Sequence, residues 1–153
     1  MLAKGQWELD ILAGEDTPSD VDILQLALEQ CGSVRSLQIV SDGQEIVAYL
    51  KGEPPFTEPS RQAPNIIFMD LKMPRMNGFD VLQWLRNHPE CSVIPVIIMS
   101  SSAMDEDILR AYRMGANAYF EKPTNFNQFQ DILRTILTFW SHAKRPPLTK
   151  FPC

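Results

Sequence analysis

The sequence has no apolar run long enough to cross a membrane, and it turns polar within its first residues. A membrane-spanning helix needs about 20 consecutive apolar residues, and a secretion signal needs an apolar core of roughly 7–15. Here Leu2 and Ala3 are followed at once by the charged Lys4. We therefore expect a cytoplasmic protein that does not bind membranes.

The cysteines and the basic residues argue against two further classes of protein, disulfide-stabilised proteins and nucleic-acid-binding proteins. The three cysteines, Cys31, Cys91 and Cys153, are odd in number and lack the spacing of metal ligands, so we expect reduced thiols rather than a disulfide framework. Acidic residues outnumber Lys and Arg by 19 to 14, and the basic residues are scattered. Because nucleic-acid-binding proteins concentrate basic charge on one face, direct binding to DNA or RNA is not expected.

Short apolar runs alternate with segments of helical periodicity along most of the 153 residues. The run Leu9–Ala13 predicts a buried strand, and Val21, Leu24 and Leu28 then recur at the spacing of one helix face. Ser19 is the predicted N-cap of that helix. The alternation continues with predicted strands at 34–40, 65–69, 94–99 and 118–121, and with predicted helices around 46–50, after residue 78, at 105–114 and at 126–140.

A stretch with four prolines, residues 52–64, interrupts this alternation and is predicted to be a surface loop within one domain. Five strands that are each followed by a helix require a parallel sheet, because parallel strands are joined by crossover connections. The predicted fold class is therefore α/β, a doubly wound five-stranded parallel sheet with helices on both faces. In such sheets, functional residues gather beyond the carboxyl ends of the strands.

Polar side chains of different chemical types stand at these predicted strand ends. The first strand is followed by Glu15 and Asp16, the third by Asp70, the fourth by Ser100 and the fifth by Lys122. If the first and third strands are neighbours, three carboxylates meet in one crevice and repel each other unless a cation or retained protons intervene. Mg²⁺ would relieve this repulsion and leave coordination positions for phosphate oxygens.

Asp70 is the predicted nucleophile of a phosphoryl transfer. A carboxylate needs no base to activate it near neutral pH, and an aspartyl phosphate is a known type of covalent intermediate. Lys122 would place a positive charge against the phosphoryl group, and the Ser100 hydroxyl would donate a hydrogen bond to one of its oxygens. Because the transition state spreads negative charge over oxygens, positioning and cations supply most of the rate.

Four motifs at these strand ends resemble those of bacterial response-regulator receiver domains. They are GEDTP at 14–18, MDLKMPRMNG at 69–78, MSS at 99–101 and YFEKP at 119–123. The resemblance covers nearly the whole chain and implies the flavodoxin-like strand order 2-1-3-4-5. It also implies a single receiver domain over residues 1–145, followed by a proline-containing tail over residues 146–153.

The resemblance implies a role for each of the polar residues. Asp70 would be the phosphoacceptor that takes a phosphoryl group from a histidine kinase, assisted by Lys122 and Ser100. The protein would be a signalling phosphoacceptor that catalyses only its own phosphotransfer and dephosphorylation, and not an enzyme. The ligands implied for Mg²⁺ are Asp16, Asp70, the backbone carbonyl of Lys72 and, through a bound water, Glu15.

A conformational switch is also implied by the resemblance. Ser100 would move toward the phosphoryl oxygens while Tyr119 swings inward, which changes the surface formed by helix 4, strand 5 and helix 5. That surface would signal to a downstream protein whose identity the sequence leaves open, or would form a homodimer.

Within the family, three features resemble small stand-alone receivers that partner bacterial phytochromes: EDTPSD at 15–20, the long proline-containing loop, and Phe139 with Trp140. This narrower resemblance implies a phytochrome as the upstream kinase. Gly14 departs from the branched apolar residue usual in the family, and we expect it to loosen the end of the first strand. Ser100 stands where threonine is commoner, and neither change removes a reacting group.

Three other functions stay open at this point. An aspartyl-phosphate hydrolase needs a second acid two residues after its nucleophile, where this chain has Lys72. A flavin-binding electron carrier would want a phosphate loop rich in Ser, Thr and Gly after the first strand, where Glu15 and Asp16 would repel phosphate. A receiver-like binding module that is never phosphorylated should have a broken acid pocket, whereas every expected acid is present here.

Overall fold

A computed structural model describes residues 8–146, which form five strands alternating with five helices. Neighbouring strands are all parallel, and their order in the sheet is 2-1-3-4-5. The predicted fold class and strand order are confirmed. The strands are β1 (Leu9–Gly14), β2 (Val34–Val40), β3 (Ile66–Met69), β4 (Val96–Ser100) and β5 (Ala118–Glu121). The helices are α1 (Pro18–Glu29), α2 (Gly43–Lys51), α3 (Gly78–Arg86), α4 (Asp105–Arg113) and α5 (Phe126–His142).

Helices cover both faces of the sheet, and successive side chains along each strand point to opposite faces. Leu12 and Ile67 belong to one apolar core, which packs against α2, α3 and α4. Ile11 and Phe68 belong to a second core, which packs against α1 and α5. Within residues 8–146, no helix combines the length and the apolar character that a membrane span requires.

The predicted cap of the first helix is wrong. The helix begins at Pro18 with Thr17 as its N-cap, so Ser19 lies inside the first turn. Proline is favoured at the first helical position because its missing N–H would have no partner there in any case. Thr17 makes no side-chain capping hydrogen bond.

The fourth strand is also displaced from its prediction, again at a proline. It begins at Val96 instead of Ile94 and ends at Ser100 instead of Met99. Pro95 cannot donate to a strand ladder, and its carbonyl accepts a hydrogen bond from the Ile67 N–H at 2.9 Å. The later boundary places Ser100 inside the sheet, where it is fully buried.

The cysteines behave differently from one another. Cys31 is a buried free thiol, as expected. Cys91 is disulfide-bonded, so the prediction of a reduced thiol at this position is wrong. Cys153 and the predicted tail from residue 147 onward lie outside the described residues.

Candidate functional site

The acidic residues singled out in the sequence meet at the carboxyl ends of β1 and β3. The two strands are adjacent and in register, with Gly14 opposite Met69, so the residues that follow them come together. One carboxylate oxygen from each of Glu15, Asp16 and Asp70 lies within 4.8 Å of the other two. Glu15 and Asp70 are buried, whereas Asp16 is exposed and leaves one side of the cluster open to solvent.

Gly14 does not loosen the end of β1, contrary to expectation. It pairs with strands on both sides, and its carbonyl accepts a hydrogen bond from the Asp70 N–H at 3.1 Å. A Cβ added here would lie 2.7 Å from Ile46 Cδ1 and 3.0 Å from Met73 Sδ. Those two side chains therefore fill the space that a branched residue would take.

Lys122 binds the acidic cluster from the side of β5. Its backbone N–H donates to the Ser100 carbonyl at 2.8 Å, which holds the residue next to the end of β4. Its Nζ donates to Asp70 Oδ2 at 2.8 Å and also to Glu15 Oε2. One ammonium group thus donates hydrogen bonds to both buried carboxylates.

A further acid at this site, Asp20, escaped the sequence analysis. Its Oδ2 accepts from Lys122 Nζ at 3.3 Å. The available signal was its position in the first turn of α1, which begins at the same edge of the sheet. With Asp20 included, three carboxylates share the Lys122 ammonium group.

The electrostatics of the cluster appear in two pKa shifts. Burial is the largest cause of the raised pKa of Glu15, and the neighbouring Asp70 charge adds to it, although Lys122 acts in the opposite direction. Burial alone would lower the pKa of Lys122, but the hydrogen bonds and charges of Asp70 and Glu15 outweigh it and hold the pKa above its ordinary value. Lys122 therefore stays charged at neutral pH.

This donor set fits a hard divalent cation. Mg²⁺ binds oxygen ligands, commonly one or two carboxylates, and keeps several waters. The exposed Asp16 and the buried Asp70 offer such oxygens. The Lys72 N–H donates to Asp70 Oδ1 at 3.1 Å, so the loop after β3 orients the Asp70 carboxylate.

Ser102 connects the two residues predicted to form the switch. Its N–H donates to Ser100 Oγ at 3.2 Å, and its carbonyl accepts from the Tyr119 hydroxyl at 2.8 Å. Its own Oγ donates to Asp107 Oδ2 in α4 at 2.7 Å. Ser100 and Tyr119 therefore contact the same residue of the connection between β4 and α4.

Comparison with known proteins identifies the family of the chain. The response regulator receiver domain model matches residues 11–134. Response regulator Rcp1 of Synechocystis sp. is 28% identical over 130 residues, which cover 85% of this chain and 87% of Rcp1. The crystal structure of the Mn²⁺-bound form of Rcp1 has a TM-score of 0.80 at 27% identity and covers 90% of this chain and 99% of that one.

Two further solved structures are similar over almost their whole length. The response regulator RPA3017 in red light signaling of R. palustris has a TM-score of 0.85 at 31% identity and covers 92% of this chain and 99% of its own. The phosphorylated cyanobacterial phytochrome response regulator RcpA has a TM-score of 0.82 at 33% identity, with 91% and 99% covered. The chain belongs to the response regulator receiver domain family, and it is similar to the stand-alone regulators of phytochrome signalling within it.

Proposed function

We propose that this chain is a single-domain response regulator that accepts a phosphoryl group on Asp70 in the presence of Mg²⁺. The position of Asp70 carries the proposal. Its carboxylate lies within 4.8 Å of oxygens of Glu15 and Asp16 and 2.8 Å from Lys122 Nζ. A nucleophile, a set of metal-binding oxygens and the positive charge of Lys122 thus meet at the carboxyl ends of neighbouring strands. Phosphoryl transfer needs these three components together.

Each residue of the site has a separate role in the phosphoryl transfer. A carboxylate oxygen of Asp70 forms the new bond to phosphorus as the bond to the phosphohistidine nitrogen breaks and the electron pair stays with the imidazole. Asp16, Asp70 and the backbone carbonyl of Lys72, with Glu15 through a water, would hold Mg²⁺, which supplies positive charge to the phosphoryl oxygens. Lys122 then exchanges its present hydrogen bond to Asp70 for one to a phosphoryl oxygen.

The switch begins at the Ser100 hydroxyl. In the structure this hydroxyl accepts from Ser102 N–H, and Tyr119 donates to the Ser102 carbonyl. When Ser100 turns toward the phosphoryl group, the hydrogen bonds of Ser102 rearrange and Tyr119 swings inward. The surface of α4, β5 and α5 changes with them and carries the signal to a downstream protein or a second copy of the chain.

The upstream partner is a histidine kinase, and we propose that it is a phytochrome. This rests on the similarity to RcpA, described as a phytochrome response regulator, and to RPA3017, described in red light signaling. We place this phosphotransfer in the cytoplasm. Residues 1–145 would form the receiver, and residues 146–153 would form a tail outside it.

Phosphorylation by a small donor tests the proposal. The protein is incubated with acetyl phosphate and Mg²⁺, and its intact mass is measured. We expect one added phosphoryl group, which chelation of Mg²⁺ and Asp70→Asn each abolish. Asp131→Asn, which changes an exposed acid of α5, is the matched control and should leave the adduct unchanged. A chain without an adduct would favour the unphosphorylated binding module, and steady turnover of phosphate esters would favour the hydrolase.

A further inference from the structure

The loop between β3 and α3, residues 71–77, has an unusual backbone conformation. Arg75 adopts a φ of 62°, in the left-handed region that residues other than glycine seldom occupy. The loop is closed by a hydrogen bond from the Gly78 N–H to the Leu71 carbonyl at 2.9 Å. Such a conformation persists where surrounding contacts hold it in place.

A buried carboxylate on another element provides one of these contacts. Asp42 is the N-cap of α2 and is 1% exposed. Its Oδ1 accepts from the Glu45 N–H at 2.8 Å, which caps the helix. Its Oδ2 accepts from Arg75 Nε at 2.8 Å and also from Arg75 Nη2. Asp42 therefore joins the start of α2 to the 71–77 loop.

The backbone next to Asp42 makes a second attachment. The Gly43 N–H donates to the Met76 carbonyl at 2.9 Å. A Cβ on Gly43 would collide with that carbonyl oxygen and would lie 2.8 Å from Val81 Cγ2. The close contact between α2 and the loop thus requires glycine at position 43.

The attached loop is the one that contributes to the acidic site. It begins directly after Asp70, and the Lys72 N–H donates to Asp70 Oδ1. The loop also carries the Lys72 carbonyl, which we propose as a metal ligand. A displacement of the loop would therefore move a ligand and the group that orients the phosphoacceptor, although Arg75 itself touches neither.

We propose that Asp42 and Arg75 are positioning residues for the metal site, which they serve by holding the 71–77 loop against the N-terminus of α2. The inference rests on the proposed function, since it concerns the metal of that same site. Groups that orient metal ligands in this way typically change metal affinity by about 10–100-fold when they are removed.

Mg²⁺ affinity measured by isothermal titration calorimetry tests the inference. Asp42→Asn keeps an N-cap, because asparagine caps helices as well as aspartate does, but it removes the charge that pairs with Arg75. We expect Asp42→Asn and Arg75→Ala each to weaken Mg²⁺ binding by about tenfold. The double variant should be no weaker than Arg75→Ala alone, because the two residues act as one unit. Arg75→Lys should restore part of the affinity, since it keeps the charge and loses the two-pronged contact.

A matched control and a metal-free readout separate positioning from general damage. Lys51→Ala removes an exposed ion pair with Glu53 at the other end of α2 and should leave Mg²⁺ affinity unchanged. In metal-free protein, hydrogen exchange at the Gly43 and Gly78 amides should quicken in Arg75→Ala, while the β3 amides stay protected.

The possible failures are distinguishable. If the unaltered protein neither binds Mg²⁺ nor takes up phosphate from acetyl phosphate, the proposed function is wrong. If it does both, and Asp42→Asn and Arg75→Ala bind Mg²⁺ as it does, the positioning role is overturned even where loop exchange quickens. Lost affinity in the Lys51→Ala control would also overturn it, because the effect would not be specific to the loop.

Discussion

Asp10 shows at the scale of a single residue how a buried charge is stabilised away from the functional site. It lies in the first half of β1 and is 3% exposed. Its carboxylate accepts from Arg35 Nε at 3.1 Å and from Ser36 Oγ at 2.6 Å. Burial alone would raise its pKa, but these hydrogen bonds outweigh it and hold the pKa below its ordinary value of 3.8. The folded state therefore favours the ionised form.

This lowered pKa predicts a stability difference that depends on pH. Asp10→Asn should lower the free energy of unfolding at neutral pH by about 1–3 kcal/mol, since Arg35 and Ser36 lose a charged acceptor. A group with a depressed folded pKa stabilises the fold above its unfolded pKa and loses that effect as pH falls through the folded value. The difference between the two proteins in urea unfolding should therefore be constant above about pH 5 and shrink below pH 3.8.

The exposed Asp131 provides the comparison for this series. Its side chain is 74% exposed, and its pair with Arg134 lies at the surface. Asp131→Asn should change the free energy of unfolding by less than about 0.5 kcal/mol over the same pH range. A difference for Asp10→Asn that grows as the pH is lowered would contradict the assignment of Asp10 as a stabilising ionised group.

At the scale of elements, apolar periodicity predicted each strand and helix, but contacts between elements decided several of their ends. The predicted helix start at Ser19 missed the preference of Pro18 for the first position. The attachment of Arg75 to Asp42 could not be predicted, because the residues are 33 positions apart and nothing local links them. Such a pair becomes visible only when the packing of α2 against the loop is known.

The contact between α2 and the loop predicts contrasting effects of two glycine substitutions. Gly43→Ala should destabilise the protein by about 1–3 kcal/mol, because its Cβ has no room beside the Met76 carbonyl and Val81. Gly32→Ala is the control, since nothing lies within 4 Å of a Cβ there, and it should be neutral or stabilising by up to about 1 kcal/mol. Thermal unfolding of both variants measures the contrast, and equal effects would contradict this account of Gly43.

At the scale of the whole molecule, the site was predictable because topology alone brings strand ends together. Glu15, Asp16 and Asp70 could be placed in one cluster once β1 and β3 were taken as neighbours. The triple contact of Lys122, which includes Asp20, depends on side-chain directions that the sequence does not specify. The contacts of Ser102 with the Ser100 and Tyr119 hydroxyls also depend on side-chain directions, so the sequence did not predict them.

Dimerisation through α4, β5 and α5 is one of the two outputs of the proposed switch, and it is a property of the whole molecule. Leu109 and Tyr112 on α4 are 49% and 47% exposed, which leaves apolar surface available to a second copy. We expect beryllofluoride with Mg²⁺, a mimic of the phosphoryl group, to shift the protein from monomer to dimer in sedimentation velocity. Leu109→Asp should prevent the shift, and Leu26→Asp, at a similarly exposed position on α1, should not. A monomer both with and without the mimic would exclude this mode of assembly.

Chemical mapping of the phosphorylated residue tests the central claim most directly. After reaction with acetyl phosphate and Mg²⁺, borohydride reduces an acyl phosphate to an alcohol, and tandem mass spectrometry of the digested protein locates the change. Asp70 should be the reduced position, with Glu15, Asp16 and Asp20 unmodified. Reduction at one of those three acids, or at none of the four, would contradict the assignment of Asp70 as the phosphoacceptor.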